Sequence, residues 1–302
     1  MGLSRVATTT LTNLLMSDNM RLQSRMGDVQ TQLSTGLKTL DYKDISRDTQ
    51  RLLSLEGARD KLKSYSDNGK LVLNQVNIAY DTFGRMDELG NTVLQGLTAA
   101  LGGDNVDPAV TTAQAQIAMN EFASLLNLKV ADRHLFAGTD IDTAPVDLTD
   151  PAWPAQTSPS VADTDYYQGD GTKLSVQLSE TLTVKYGILA NDPAFEQILR
   201  GFNLVSNNPG DKVAYAEAFD LIKDGINKLA DIRGQLSANA KSIEDQNVRN
   251  EEDIANLNEV ISGIKETDIP AATVQLKQLE TQIQASYSAS VTLMRLSLTN
   301  YL

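Results

Sequence analysis

The chain has 302 residues, with 39 acidic against 26 basic side chains, a net charge of −13 and no cysteine. That charge repels phosphate backbones and sets nucleic acid aside as a partner. The missing thiols exclude disulfides, zinc–thiolate sites and cysteine nucleophiles, and aromatic residues at 5% suit helix seams of Leu, Ile, Val and Ala better than an enzyme core. No segment approaches the ~20 apolar residues of a membrane span, so no membrane insertion is expected. Met1–Thr8 lacks the apolar stretch of a cleavable signal. The expectation is a cytoplasmic protein, or one exported by a route that reads no such signal.

In chain order, the spacing predicts a first helix from Thr8 to Leu33, with Leu11, Leu15, Leu22, Met26, Val29 and Leu33 on one face. Gly36 then ends it as a left-handed cap, and residues 37–45 form a connector. From Leu55 to Leu97 runs a heptad seam: Leu55, Ala58, Leu62, Tyr65, Gly69, Val72, Val76, Ala79, Phe83, Met86, Gly90, Val93 and Leu97. Spacing of 3.5 residues keeps one stripe against a partner helix, as in a coiled coil, over about 60 Å at 1.5 Å per residue. Gly69 and Gly90 would let another backbone approach closely, or are neutral lapses costing about 1 kcal/mol each.

Asp107-Pro108 pairs an N-cap carboxylate with proline at the first helical position. The helix it starts is read to about Leu135, with its face marked by Ile117, Phe122, Leu125 and Leu126. Six of the eight prolines then fall between 145 and 209, which rules out a long helix there. Leu174, Val176 and Leu178, then Leu182, Val184 and Tyr186, alternate with polar residues around Ser179-Glu180, the mark of a β-hairpin. Asp192-Pro193 starts a short helix that Asn207-Asn208-Pro209-Gly210 ends.

A second seam starts from about Val213 and passes through Phe219, Ile222, Ile226, Leu229, Arg233, Leu236, Ala240, Ile243, Asn247, Asn250, Ile254, Leu257, Ile261 and Ile264. Apolar spacing continues through Leu276, Leu279, Ile283, Tyr287, Val291, Met294 and Leu298. The ends are more polar than the middle: Asp18, Asn19 and Arg25 interrupt the first helix, and Ser286, Ser288 and Ser290 crowd the last. Such helices are expected to order when neighbouring copies supply surface to bury.

The fold class is therefore mainly α: long N- and C-terminal helices paired as a coiled-coil rod, with a small β-rich inserted domain. The expected division is 1–40 and 256–302 as the two halves of a helical end domain, 41–137 and 191–255 as the halves of the rod, and 138–190 as the insert. Polar seam residues usually fix register at a cost in stability. Arg233, Asn247 and Asn250 carry that role here, or make a specific assembly contact.

No phosphate loop, dinucleotide fingerprint or nucleophile elbow occurs. His134 is the single histidine, with no second one for a metal pair or relay, and reads as structural. Asp140, Asp142, Asp147 and Asp150 lack the glycine turn and terminal glutamate of a calcium loop and read as a solvated loop. No catalytic residue, metal or cofactor is assigned, and the chain is expected not to be an enzyme.

Leu33-Ser34-Thr35-Gly36-Leu37-Lys38, placed after an amphipathic helix, resembles the N-terminal element of bacterial flagellins and their relatives. Asn68-Gly69 fits the same register. Arg233-Gly234-Gln235-Leu236 and Ser262-Gly263-Ile264-Lys265-Glu266-Thr267-Asp268 resemble flagellin elements near the other end, as does the spacing to Tyr301-Leu302. Ser4-Arg5-Val6-Ala7-Thr8, His134-Leu135-Phe136-Ala137-Gly138-Thr139-Asp140 and Tyr166-Tyr167-Gln168-Gly169-Asp170-Gly171 are similar to the hook-associated protein 3 family, whose members join hook to filament. Asp41-Tyr42-Lys43-Asp44-Ile45 departs from the aspartate- and proline-rich stretch often found there in that family.

The resemblance implies a structural part of the extracellular flagellum, exported through the flagellar type III apparatus with a chaperone on the C-terminal helix. It implies self-association in a ring, beside another hook-associated protein and flagellin. Leu15, Leu22, Val29, Leu33, Leu276, Leu279, Ile283, Met294 and Leu298 are the expected assembly residues, and Ile283→Asp is expected to abolish incorporation. A short filament flagellin and a secreted coiled-coil adaptor remain as alternatives.

Overall fold

The structure, a computed structural model, describes residues 2–39, 48–103 and 106–299, without the side chains of 2–9, 11–12 and 293–299. The connector residues Asp41–Ile45, the side chains of Met294 and Leu298, and Tyr301-Leu302 thus lie outside the described residues. Those described form six helices and four short strands. The helices are α1 (Gly2–Thr35), α2 (Thr49–Leu101), α3 (Pro108–Leu126), α4 (Pro193–Asn207), α5 (Lys212–Lys265) and α6 (Ile269–Thr299). The strands are β1 (Lys129–Val130), β2 (Arg133–His134), β3 (Ser175–Gln177) and β4 (Thr183–Lys185). The chain divides into two compact units, Met1–Asp60 with Ile254–Leu302, and Lys61–Asp253.

The helix starts follow the local signals. Asp107 and Asp192 each accept a hydrogen bond from the backbone N–H two residues on, with proline at the first helical position. An orphan donor is satisfied at each start. Gly36 ends α1 with φ +72°, a conformation a Cβ would strain.

In the unit 61–253, the α2 seam is buried at every predicted position from Gly69 to Leu97. It holds less well before that: Leu62 and Tyr65 are half-buried, while Ser66 is buried instead. A straight helix of 3.6 residues per turn drifts against a 3.5-residue repeat, so the buried line leaves the predicted one. On α5, Ile222, Leu229, Leu236 and Ile243 are buried.

The centre of this unit is aromatic. Phe83 of α2 lies 5.4 Å from both Phe136 and Phe195, and Phe122 of α3 meets Phe195 and Phe202 of α4 edge-on at 6.2 and 5.9 Å. These tilted and edge-on arrangements suit the ring quadrupole. All five rings are fully buried.

Helix α3 ends nine residues before Leu135. Asn127 stops it by clasping Val146: its Nδ2 donates to the Val146 carbonyl and its Oδ1 accepts from the Val146 N–H, both at 2.8 Å. The chain then turns through Ala131 and Asp132, at φ 50° and 61°, which joins β1 to β2 in the two-residue manner. Ile117 does not mark the inner face either, being 66% exposed. Ala115, Ala118, Met119, Phe122, Ala123, Leu125 and Leu126 take that place, because α3 packs its small and aromatic side on α4.

The β3–β4 hairpin forms around Ser179-Glu180 with Val176 opposite Val184. Its strands have three residues each, and most of 138–190 is turns. Those turns are held by side chains on backbone. Asp170 accepts from the backbone and hydroxyl of Thr139 and from the Thr172 N–H, and its Oδ1 occupies the space a Cβ at Gly138 (φ +75°) would need. Glu217 accepts from the hydroxyls of Ser158 and Ser160 at 2.6 Å and from the Ser160 N–H at 2.8 Å. Asn203 Oδ1 accepts from the Gln156 N–H at 2.8 Å. The proline-rich strap is thereby tied to α4 and α5.

Phe195→Ala is expected to destabilise the 61–253 unit by about 3–5 kcal/mol through lost transfer energy and cavity formation, read by denaturant unfolding. The Thr139 hydroxyl, then the Thr139 and Thr172 N–H groups, hold the Asp170 carboxyl below its ordinary value of 3.8. A depressed carboxylate stabilises above its unfolded pKa, and that stabilisation is lost as pH falls through its folded one. Asp170→Asn should therefore flatten the acid limb of the stability curve below about pH 4, measured by melting in a pH series.

Candidate functional site

Helices α1 and α6 pair within one chain. Val29, Ala272 and Leu279 are buried between them, with Leu22, Met26, Leu33 and Leu276 half-buried around them. Ile283 is buried as well, and Leu15 is half-buried. Seven of the nine expected assembly residues thus have described side chains; five of them, Leu22, Val29, Leu33, Leu276 and Leu279, line or border the seam joining the chain's two ends, and Ile283 is buried on the same helix as the last two. Some polar residues of these helices turn back on themselves, and Gln23 Nε2 of α1 reaches across to the Tyr287 hydroxyl of α6 at 2.5 Å. Asp18 pairs with Arg21 at 3.0 Å, and the hydroxyls of Ser288 and Ser290 donate to carbonyls four residues earlier.

The base of the pair is knotted by backbone contacts. Leu37 bridges Glu266, the Lys38 N–H donates to the Lys265 carbonyl, and the Thr267 N–H donates to the Gly36 carbonyl, both at 2.8 Å. Lys38 Nζ donates to the carbonyls of Gly263 and Ile264 at 2.6 and 3.2 Å, satisfying orphan groups at the α5 C-terminus with a favourable charge. The apolar spacing that runs past Ile264 is therefore not one helix. Glu266–Asp268 break it, and Asp268 starts α6 by accepting from the Ala271 N–H at 3.0 Å.

Spacing alone missed the outer faces. Leu14, Met16 and Met20 of α1 and Val274, Tyr287 and Val291 of α6 are each between 47% and 61% exposed. Tyr287 and Val291 lie on the predicted α6 stripe; the Tyr287 hydroxyl accepts from Gln23 Nε2 of α1, while about half of each side chain stays exposed. Exposed apolar side chains of this size, where they adjoin, are the kind of surface that interaction sites use.

The expected register residues lie elsewhere, in the 61–253 unit. Arg233 stacks its guanidinium on the Tyr80 ring at 4.6 Å. Asn250 is buried and donates from Nδ2 to the Leu178 carbonyl at 3.0 Å, fastening the hairpin to α5. Asn247 is buried against Gly69, so a side chain and not a backbone fills that approach, as Ile226 does at Gly90.

His134 is buried, and desolvation, then Lys129, lowers its pKa. Asp147 and Asp150 each accept from the backbone N–H two residues on, so they shape turns. Among the described residues no three His, Asp or Glu side chains gather as a metal site, and no helix is long and apolar enough to cross a membrane.

Residues 219–302 match the family described as the bacterial flagellin C-terminal helical region, so the chain is flagellin-like over that segment. No curated protein sequence matches. Among solved structures, a Vibrio parahaemolyticus protein assigned as a flagellar hook-associated protein is similar in fold, with TM-score 0.58 and 13% identity over 72% of this chain and 97% of that one. FlgL of Bacillus cereus gives TM-score 0.45 and 14% identity over 72% and 100% of the two chains. Hook-associated protein 3 of Legionella pneumophila gives 0.44 and 10% over 78% and 99%. The last two superpose too loosely to inform the fold.

Leu279→Ala should weaken the α1–α6 pair by about 2–4 kcal/mol. Hydrogen exchange should then quicken in 2–35 and 269–299 and stay unchanged in 61–253.

Proposed function

We propose that this chain is a structural protein of the bacterial flagellum that joins hook to filament, with no enzymatic role. The observation that carries the reading is the flagellin-like C-terminal segment, whose last helix pairs with the chain's first. The fold likeness to the Vibrio hook-associated protein, over nearly that protein's whole length, favours the junction over other flagellar positions. In this reading the protein works outside the cell, after export through the flagellar type III apparatus with a chaperone on the C-terminal helix. Copies associate in a ring, contacting another hook-associated protein and flagellin. The helical end domain of 1–40 and 256–302 makes those contacts, 41–137 with 191–255 carries the load, and 138–190 stands as the insert.

The assembly residues divide by what they bury. Leu22, Val29, Leu33, Leu276, Leu279 and Ile283 hold the two end helices together, Leu15 continues that set, and Met294 and Leu298 are assigned to assembly from their spacing alone. Leu14, Met16, Met20, Val274, Tyr287 and Val291 offer apolar surface to neighbouring copies. An isolated helix pair with so few buried side chains is marginal. Neighbours that bind only the folded pair stabilise it by mass action. A short filament flagellin is the second reading, favoured by the family that 219–302 matches.

Gold-conjugated antibody on isolated flagella separates these readings in electron micrographs. A single band at the far end of the hook is the expected result. Label along the whole filament supports the flagellin reading, and flagella without label count against both. Met20→Asp with Val291→Asp should keep wild-type helicity by circular dichroism and reduce incorporation at least tenfold. Ile283→Asp should lose both end-pair order and incorporation, and normal motility in either variant would contradict the proposal.

A further inference from the structure

Two glycines of α2 face large side chains of α5 at matched intervals. A Cβ at Gly69 would overlap the Asn247 amide, and one at Gly90 would come within 2.8 Å of Ile226 Cδ1 and 3.0 Å of its Cγ1. Gly69 and Gly90 stand 21 residues apart, as do Ile226 and Asn247. That is three heptads on each helix, in opposite chain directions. The Tyr80–Arg233 stack lies between the two points, and Lys70 pairs with Glu251 at 2.7 Å beside the first. All four contacts describe one antiparallel register.

A uniform heptad seam does not choose that register, because a slip of seven residues again sets apolar against apolar. The glycines do choose it. A slip in one direction would face Gly69 with Ala240 and drive Phe219 into Gly90. A slip in the other would push Arg233 at Gly90 and take it off Tyr80.

The polar layer at Asn247 adds to the choice. Asn247 Oδ1 and Ser66 Oγ are buried and find no hydrogen-bond partner among the described residues, a cost that polar seam residues carry in exchange for specificity. One turn further, the hairpin grips both helices: Asn250 Nδ2 holds the Leu178 carbonyl, and Lys61 Nζ holds Glu180 at 2.7 Å.

We infer that Gly69 and Gly90 are paired notches, filled by Asn247 and Ile226, that lock α2 and α5 in a single register, with the β3–β4 hairpin as the clasp. The device resists the one-turn sliding by which packed helices switch state, and it stands whether or not the chain is flagellar.

The absence of cysteine makes the test direct. Lys70→Cys with Glu251→Cys reports the native register through a short bis-maleimide, and Lys70→Cys with Glu244→Cys reports the slipped one. In the otherwise unchanged chain only the first pair should cross-link. Adding Gly69→Ala and Gly90→Ala should cut the native cross-link at least fivefold. Gly234→Ala, whose Cβ meets nothing within 4 Å, should leave it intact and raise Tm slightly by helix propensity. Since the double variant could unfold, Gly69→Ala is also made with Asn247→Ala, which shortens the opposing side chain and should restore the cross-link lost in Gly69→Ala alone. A native cross-link at full yield in the double glycine variant overturns the inference, as does loss in Gly69→Ala that Asn247→Ala fails to rescue.

Discussion

The apolar contact of α2 with α5 is the constraint on which the 61–253 unit depends. Neither helix is stable by itself, since most helical stability in water comes from burying one face. From Gly69 to Leu97 that face is continuous, and Ile222, Leu229, Leu236 and Ile243 answer it from α5. Phe83 sits on this seam and also anchors Phe136 and Phe195. Through those rings the seam positions α3, α4 and the chain that follows β2.

The stretch 138–190 is organised by a different force. It buries Val146, Trp153, Tyr166, Val176, Leu178, Val184, Leu189 and Ala190, but its strands are short, so many of its backbone polar groups are satisfied by Asp, Asn and Glu side chains, some from distant elements. Asp170 closes the turn at Gly138, Asn127 clasps Val146, and Glu217 collects two serines. Each bond contributes modestly, about 0.5–1.5 kcal/mol, but a buried donor left unmade costs more. The result is a loop-rich surface whose shape is fixed while its sequence carries little periodicity.

The chain's two ends combine a thin seam with exposed apolar faces. Val29, Ala272, Leu279 and Ile283 are buried, yet Met16, Met20 and Val291 remain in solvent on the same helices. The backbone knot at Leu37 and Glu266 holds the base of the pair independently of those side chains.

Where a signal is local, the sequence by itself determined the outcome. The caps at Asp107-Pro108 and Asp192-Pro193, the left-handed Gly36 and the hairpin around Ser179-Glu180 need only residues a few positions apart. The seam from Gly69 to Leu97 needs only a period, and the flagellin-like C-terminal segment was legible as short motifs. Tertiary structure alone decided which face a helix buries and which distant group a polar side chain meets. Helix α3 carries apolar residues on two sides, and its packing on α4 turned Ile117 outward. Asn127 ended that helix by bonding a residue 19 positions away, and Asn250 found the carbonyl of Leu178, 72 positions away. The reason is physical: hydrogen bonds and burial act through space, and periodicity records only that a partner exists, not which residue it is.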